Sequence, residues 1–573
     1  MKLTRISIEN FRSIKSGVIN VGDSNAIVGE NNSGKSAVLR ALNAFFNYTE
    51  EEVYFKDGTH QYSPKSLTRI TLTFSDIPIK ATYQSKIHNN ELNIRMTYSY
   101  STHKRTFHCK TTSFVEIGQD FVGELLSDIQ FVLIPVARDS NDVVWQENTV
   151  LKKVLVEYLK QRTEHRDNLS PKVRDAADML EKSVFEKVEK ELQKYLSSNC
   201  NKMQFKIEYS NTNDYNLLLN NIFLNVLDCG QKFNITECGS GLQSLVIVSL
   251  YRYLAKLKHN NIILGIEEPE ISLHPQAQSQ LINDIKWRGQ SPNEIQCIIT
   301  THSTVMVDEL DHEDIILVRK VEDDKRGFRS DITQIPSDFW IRYGLEQFKY
   351  YQFFKYKNSD FFFAKFIIVV ESKNDAEVFR LLLADRGIKI ERYPVSILEL
   401  GGVDSIKYPY HLLKTLAIPH FIIVDKDYFV PYANGDLDNS RYNSGFPKYK
   451  YEYKDTCLIE ELIPSKADRD EFLKLLQQNH AKAMDLACKY NFLCLNYCLE
   501  IDLVASNTAR TLYYQILNVP PNKRNTKDLL VSYKKGIKKI ENIIQVLRGV
   551  PHKNLPNAYK RIKNTLGDVY SNI

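Results

Sequence analysis

The chain reads as an α/β protein of two main domains, the first with a helical insertion and the second with a parallel sheet and a helical extension. Three observations point there. A short apolar strand, Ala26–Val28, runs into the glycine-rich loop Gly29-Glu-Asn-Asn-Ser-Gly-Lys-Ser36, and a helical pattern from Ser36 to about Phe46 follows. Apolar strands at Ile262–Ile266, Phe366–Val370 and Phe421–Val424 each run into carboxylates. From Phe366 onward strand and helix patterns alternate, which implies a parallel sheet.

Taken in order, residues 1–147 are expected to form the first half of the first domain. Strands are expected at Leu3–Ile8, Asn25–Val28, Thr68–Phe74, Glu91–Tyr98 and Phe131–Val136. Residues 148–200 turn helical, with Leu151, Leu155, Tyr158 and Leu159 on one face; this insertion suits a dimerisation arm or a lid. Residues 201–345 return to strands at Phe205–Tyr209, Ile222–Leu227, Ile262–Ile266, Cys297–Thr300 and Ile315–Arg319. The polar stretch Val321–Arg329 and the aromatic segment Phe339–Phe363 lead into the second domain, 360–573. There strands at Phe366–Glu371, Val395–Leu400 and Phe421–Asp425 alternate with helices at Asp375–Leu383 and Asp404–Leu416. Beyond Asn479 the pattern is helical, and Leu530, Tyr533, Ile537, Ile540, Ile544 and Leu547 define one amphipathic helix.

Composition narrows the class. The 573 residues are 43% hydrophobic and 25% charged, ordinary globular usage that argues against wholesale disorder. No apolar run is long enough for a membrane-spanning helix, and the N-terminus lacks the apolar core of a signal peptide. Nine cysteines without a CxxC pair fit reduced thiols and a cytoplasmic location. The net charge of +5 is uneven. Residues 521–573 hold twelve Lys/Arg and three Asp/Glu, 12 − 3 = +9, so the rest of the chain carries 5 − 9 = −4. A basic tail on a near-neutral body suits a nucleic-acid footprint or a solvated helix face.

The loop at 29–36 satisfies GxxxxGK[ST] between strand and helix. Backbone N–H groups along Gly29, Asn32, Ser33 and Gly34 can cradle phosphates, Lys35 can reach the β/γ oxygens, and Ser36 can bind Mg²⁺. Glu267 and Glu268 end an apolar strand in the Walker B manner. Glu267 then stands in the metal shell where Asp is commoner, and Glu268 polarises the attacking water. Ser240 and Gly241, in a Gly-Ser-Gly helix start, can present N–H groups to a γ-phosphate, and His302 can sense the same phosphate. Arg138, beyond the Phe131–Val136 strand, is a further candidate. P-loop, Gly-Ser-Gly, Glu-Glu-Pro-Glu-Ile-Ser-Leu-His-Pro275 and Thr-Thr-His-Ser303, in that order, resemble the ABC/SMC-type ATPase head. In that family the Gly-Ser-Gly segment acts on nucleotide held by a second head, which implies a homodimer or a higher homo-oligomer.

A second acidic centre follows. Glu371, with Asp375 four residues on, ends one strand; Asp425 and Asp427 end another. Parallel strand ends open at one edge, so these carboxylates can converge on Mg²⁺ or Mn²⁺ for attack on a phosphodiester. About one DxD triplet is expected by chance in a chain this long, and Asp436-Leu-Asp438, in an Asn/Gly loop, is such a decoy. Strand-Glu followed by strand-Asp-x-Asp resembles the TOPRIM fold, with Ser372 standing where that family usually has Gly.

An ATPase head followed by TOPRIM resembles the OLD (overcoming lysogenisation defect) family of nucleases. The resemblance implies ATP, a divalent metal and DNA as ligands, and endonuclease or nickase activity in bacterial antiphage defence. It also admits a partner such as a helicase, or a reverse transcriptase with its nucleic-acid product. It implies catalytic roles for Glu371, Asp425, Asp427 and Asp502, and further acids and a Lys from the C-terminal part. Glu500 and Asp502 are the matching acids, with Glu460 and Glu461 as competitors; the Lys is Lys535 or Lys534. A DNA-clamping ATPase with a non-cutting TOPRIM module is the alternative reading.

Overall fold

The structure is a computed structural model. It describes residues 1–64, 66–136, 150–161, 225–228, 231–234, 261–271, 273–286, 295–324, 326–354, 359–388, 395–402 and 405–571, with isolated positions between 171 and 257. Arg138, Ser240, Gly241, the strand expected at 205–209 and most of the 148–200 insertion lie outside the described residues. Met1–Ile332 and Thr333–Ile573 form two separate units.

The first unit holds two six-stranded sheets and a two-stranded antiparallel ribbon of β9 (Asn225–Asp228) and β10 (Gln231–Asn234). One is antiparallel, in the order β2 (Ile14–Asn20), β1 (Lys2–Phe11), β4 (Thr68–Ser75), β5 (Leu92–Ser99), β6 (Lys104–Lys110) and β7 (Phe114–Glu116). Leu3, Ile6 and Ile8 of β1 are all fully buried although Leu3 is out of phase with the other two. A bulge in the β1–β4 ladder between Leu3 and Arg5 absorbs the extra residue and turns all three to the core.

The second sheet runs β14 (Gly327–Gln334), β13 (Ile315–Asp323), β3 (Ser24–Val28), β12 (Ile295–Thr300), β11 (Asn261–Glu267) and β8 (Ile129–Ile134). From β13 to β8 every neighbouring pair is parallel. β3, β11 and β12 are almost continuously buried, the mark of central strands covered on both faces. Helix α1 (Lys35–Phe46) touches β1, β4, β8 and β12 and buries nearly every side chain. It shares one core with β-strands of both sheets, including Ile70, Phe74, Phe131, Ile263 and Ile298.

Gly265 in β11 marks the tightest point of that packing. A Cβ there would meet the Phe131 ring at 2.5 Å and Leu39 at 3.3 Å. Gly265→Ala is therefore expected to cost about 1–3 kcal/mol of overpacking, read as a lower urea midpoint.

The polar stretch 321–329 is not a linker: it forms the end of β13 and the turn into β14. Alternation there is weak because the hairpin lies at a sheet edge, where one side needs no apolar cover.

The second unit carries a four-stranded parallel sheet in the order β16 (Val395–Glu399), β15 (Phe366–Val370), β17 (His420–Val424) and β18 (Phe492–Cys494). The chain leaves β15 to one side and returns to the other, so the sheet has its switch point between β15 and β17. Such a point opens a crevice at the carboxyl ends of the strands. Helix α2 (Lys373–Ala384) follows β15, and helix α3 (Leu499–Ala505) follows β18. The segment 333–363 belongs to this unit, with Tyr350 and Phe361 in its core.

The single amphipathic helix expected over 530–547 is broken into three: Thr526–Val531, α4 (Lys534–Ile537) and α5 (Ile540–Gly549). The buried stripe of α5 is Ile543, Val546 and Leu547, continued by Val550, so the face differs from the expected one. Gly536, inside α4, packs closely: a Cβ there would come within 2.7 Å of Leu517. Of the twelve cations beyond residue 520, Lys534, Lys538, Arg561 and Lys563 pair with carboxylates of the same unit. Part of the basic tail is thus neutralised internally.

Candidate functional site

In the first unit the strand register brings three segments to one edge. Thr300 pairs with both Ile27 and Glu267, so the loop after β3, the end of β11 and the segment after β12 lie side by side. The loop holds its shape through Gly29 (φ 146°) and Gly34 (φ 105°). A Cβ on Gly29 would sit 2.1 Å from Val318 O, and one on Gly34 would sit 2.2 Å from Ser330 Oγ. Both positions thus require glycine for conformation and for space.

Lys35 opens α1, is nearly buried, and donates from Nζ to Gly29 O (3.1 Å) and Glu30 O (2.9 Å). Burial pulls its pKa down to about 8, against the attraction of Glu268, Glu270 and Glu30. An incoming phosphate would replace those carbonyls and restore the charge. Ser33 is fully buried and its Oγ has no hydrogen-bond partner among the described residues. Ser36 lies in the first turn of α1, and Asn32 has a left-handed φ of 59°.

Glu267 is buried and accepts from Val136 N (3.4 Å). Glu268 has φ 43°, a strained conformation for a residue with a Cβ, held by its N–H bonding to Thr300 O (2.9 Å). His302 Nε2 lies 3.8 Å from Glu268 Oε1. Burial, and secondarily Lys35, lowers the His302 pKa, favouring the neutral ring. Sequence reasoning missed Glu270. Its Oε1 accepts from His302 N (2.6 Å) and so ties the loops after β11 and β12 together.

In the second unit, Val370 pairs with Ile423, which sets Glu371 beside the end of β17. Glu371 Oε1 accepts the Asp425 N–H at 2.7 Å, bridging the switch point. Ser372 caps α2: its Oγ accepts from Asp375 N (3.4 Å) and donates to Asp375 Oδ2 (2.6 Å). With φ −142° and ψ 167°, position 372 is extended backbone that needs no glycine, which explains the departure from the TOPRIM pattern. Ser372→Ala is expected to lower stability by about 1 kcal/mol and Ser372→Gly by only a few tenths, measured by urea unfolding.

A cavity of about 910 Å³ opens here, lined by Glu371, Asp375, Asp425 and Glu500, with Lys373 and Arg380 at its wall. Burial raises the pKa of Glu371, Asp375 and Asp425, and mutual repulsion raises them further. Asp427 adds to that repulsion at both Glu371 and Asp425. Hard oxygen donors whose charges oppose one another in a cleft suit a divalent cation, which would relieve the repulsion. Among the described residues no three acid, His or Cys side chains already converge on one point. Glu371 and Asp375 are instead parked on a backbone N–H and a hydroxyl.

Three sequence expectations change here. Asp502 does not line this cavity. It is 2% exposed, accepts from Asn496 N (2.8 Å), and opens on a separate cavity of about 890 Å³. Residues 500 and 502 are about 200° apart around a helix, so both cannot face one centre.

The expected Lys also differs. Lys534 pairs with Asp438 (2.5 Å), and exposed Lys535 has no hydrogen bond or ion pair among the described residues. Lys538 reaches Glu500 Oε1 at 3.2 Å. Its pKa is raised by Glu500 foremost, and also by Asp425. The break in the 530–547 helix produces this swap, and the expected unbroken helix hid it. Lys454, a further cation near the centre, offsets the charges of Glu371 and Asp427. It ends the alternating stretch Lys448-Tyr-Lys-Tyr-Glu-Tyr-Lys454, which carries no motif that marks it for the site. Glu460 and Glu461 lie elsewhere: Glu461 pairs with His411 and Glu460 with Arg469.

A phosphate-cradling loop beside a Glu-Glu strand end, followed by a parallel sheet with acids at its switch point, defines a P-loop ATPase joined to a TOPRIM module. The chain belongs to the AAA ATPase domain family, whose model matches residues 1–122 and 124–307, and residues 362–427 match the overcoming lysogenization defect protein-like TOPRIM domain. It is 25% identical to endonuclease GajA of Bacillus cereus (strain HuB5-5) over 46% of this chain and 42% of that protein. It is 22% identical to the Old nuclease of Escherichia phage P2 over 75% of this chain and 78% of that one. An Smc head domain from Pyrococcus furiosus aligns with a TM-score of 0.37 and 15% identity, over 60% of this chain and 98% of that one. The two domains imply the use of nucleotide and of a divalent metal. Among the described residues no helix is long and apolar enough to cross a membrane.

Proposed function

We propose that this chain is an ATP-hydrolysing, Mg²⁺- or Mn²⁺-dependent DNA endonuclease or nickase of the OLD type, acting in bacterial antiphage defence as a homodimer or larger assembly. The observation that carries the proposal is the meeting of Glu371, Asp375, Asp425 and Glu500 in one cavity at the switch point of a parallel sheet. The named nuclease relatives support the same reading.

In the first unit Lys35 would turn from its loop carbonyls to the β/γ-phosphates, and Ser36 and Glu267 would hold the accompanying Mg²⁺. Glu268 would orient the attacking water, with neutral His302 beside it. In the second unit Glu371, Asp375, Asp425, Asp427 and Glu500 would hold divalent metal. A divalent ion there supplies Lewis-acid stabilisation of the phosphodiester and a more acidic attacking water. Lys538 and Lys454 lend positive charge to the flanking phosphates, and the Asp425 N–H keeps the Glu371 carboxylate at the sheet edge.

The test is cleavage of supercoiled and linear DNA with Mg²⁺ or Mn²⁺, with and without ATP. Nicked or linear product that requires the metal supports the proposal. Intact DNA under every condition, from protein that hydrolyses ATP, favours a clamp that does not cut. DNA binding is also expected to weaken as salt rises. Each phosphate contact should contribute about −0.9 to the log–log slope, and a flat response in a filter-binding titration would remove the nucleic-acid role of the tail.

A further inference from the structure

Lys426 stands between the two acids of Asp425-Lys-Asp427, yet it is only 3% exposed. Its Nζ lies 3.5 Å from Asn496 Oδ1, with the rings of Tyr449, Tyr451 and Tyr497 at 5.3, 5.6 and 5.9 Å. Its backbone N–H donates to Tyr497 O at 3.0 Å. Two of the rings are themselves braced: Tyr497 stacks on Phe446 and Tyr449 on Tyr432. A buried ammonium needs compensation, and here the amide oxygen and aromatic faces give part of it.

Burial lowers the Lys426 pKa, and Cys494 and the buried Asp502 oppose that shift. Asp502 Oδ2 accepts the N–H of Asn496, the same residue whose side chain meets Lys426. The Asn496–Tyr497 segment is therefore held from both sides. On one side is the turn that carries Asp425 and Asp427; on the other is α3, which carries Glu500.

We infer that Lys426, Asn496 and Asp502 form a buried clamp that fixes the Asp425/Asp427 turn relative to Glu500, with Asp502 a positioning residue and not a metal ligand. The inference rests on the metal-centre reading above. Removing a partner that orients ligands typically costs 10–100-fold in metal affinity without removing an ion. Breaking one half of a buried charge pair costs more than removing both, because the survivor is left uncompensated.

The experiment titrates Mn²⁺ alone into the full chain, following free Mn²⁺ by electron paramagnetic resonance, and measures DNA cleavage over the same range. Wild type is run beside Glu371→Ala, Asp502→Asn, Lys426→Met and the double variant Lys426→Met/Asp502→Asn, with a thermal melt of each. Asp502→Asn and Lys426→Met are expected to keep the wild-type number of ions at roughly 10–100-fold weaker affinity. Their cleavage rate should return toward wild type at saturating Mn²⁺. The double variant should bind more tightly than the product of the two single losses implies.

Loss of an ion in Asp502→Asn, or a rate that saturating Mn²⁺ does not restore, would make Asp502 a ligand and overturn the clamp. Unchanged affinity in both single variants would overturn it too. Wild type that binds no Mn²⁺ would instead sink the metal centre itself, and the clamp with it. Should Lys426→Met not fold, the near-isosteric Asp502→Asn still decides between ligand and positioning residue.

Discussion

Glu371→Ala is expected to lower metal-dependent DNA cleavage by more than about a hundredfold at every Mg²⁺ or Mn²⁺ concentration, with ATP hydrolysis unchanged. Loss of a partner that merely orients ligands already costs 10–100-fold, and Glu371 is placed in the centre itself. Its carboxylate bridges the switch point by accepting the Asp425 N–H, so its removal deletes a ligand and frees the β17 turn at once. The side chain is also among those whose charge burial and neighbouring acids destabilise, so nothing in the fold needs that charge for stability. The protein should therefore remain folded, and a melting curve should show it. Cleavage assays beside phosphate-release assays check both halves. Wild-type cutting by Glu371→Ala would remove the acidic centre from the reaction altogether.

Lys35→Ala is expected to reduce ATP hydrolysis on the order of a thousandfold, the scale that a cation facing the transferred phosphoryl group contributes. The lysine is nearly buried and donates only to two loop carbonyls, an arrangement that burial already penalises. Nothing else on the P-loop offers a cation, since Gly29, Asn32, Ser33, Gly34 and Ser36 are uncharged. Nucleotide binding by equilibrium dialysis and steady-state phosphate release measure the loss. Hydrolysis near the wild-type rate would move the nucleotide site elsewhere. The same variant, assayed for DNA cleavage with and without ATP, separates a nucleotide that licenses cutting from one that restrains it.

Much of the site was legible because its residues sit at the ends of buried strands. Continuous apolar runs such as Ile262–Ile266 and Phe421–Val424 leave no choice of face, so the polar residue that follows must emerge at the sheet edge. The helix expected from Ser36 to about Phe46 spans Lys35–Phe46 for a related reason: the glycine-rich loop has one strand–helix context that suits it. Less was legible where the pattern was short or mixed. The strand β18 has three residues, too few for periodicity to register, yet it places α3 and hence Glu500. The end of β13 and the start of β14 looked like a linker because the edge strand β14 tolerates polar residues on both faces.

The C-terminal part divides most clearly. Its acids and lysines were visible as candidates, but helix phase decided which of them meet the cleft. The break near Gly536 brings Lys538 to Glu500 and leaves Lys535 in solvent. Two residues along α3 separate Glu500 in the cleft from Asp502 beneath it. By itself, then, the sequence determined the parallel sheet of the second unit, the phosphate-binding loop and the strand-end carboxylates, because these follow from local pattern and its burial. Only the tertiary structure decided the partners Glu270, Lys454 and Lys538, the cap at Ser372 and the place of Asp502. Each of those depends on which segments distant in the chain are brought together, and residue spacing carries no record of that.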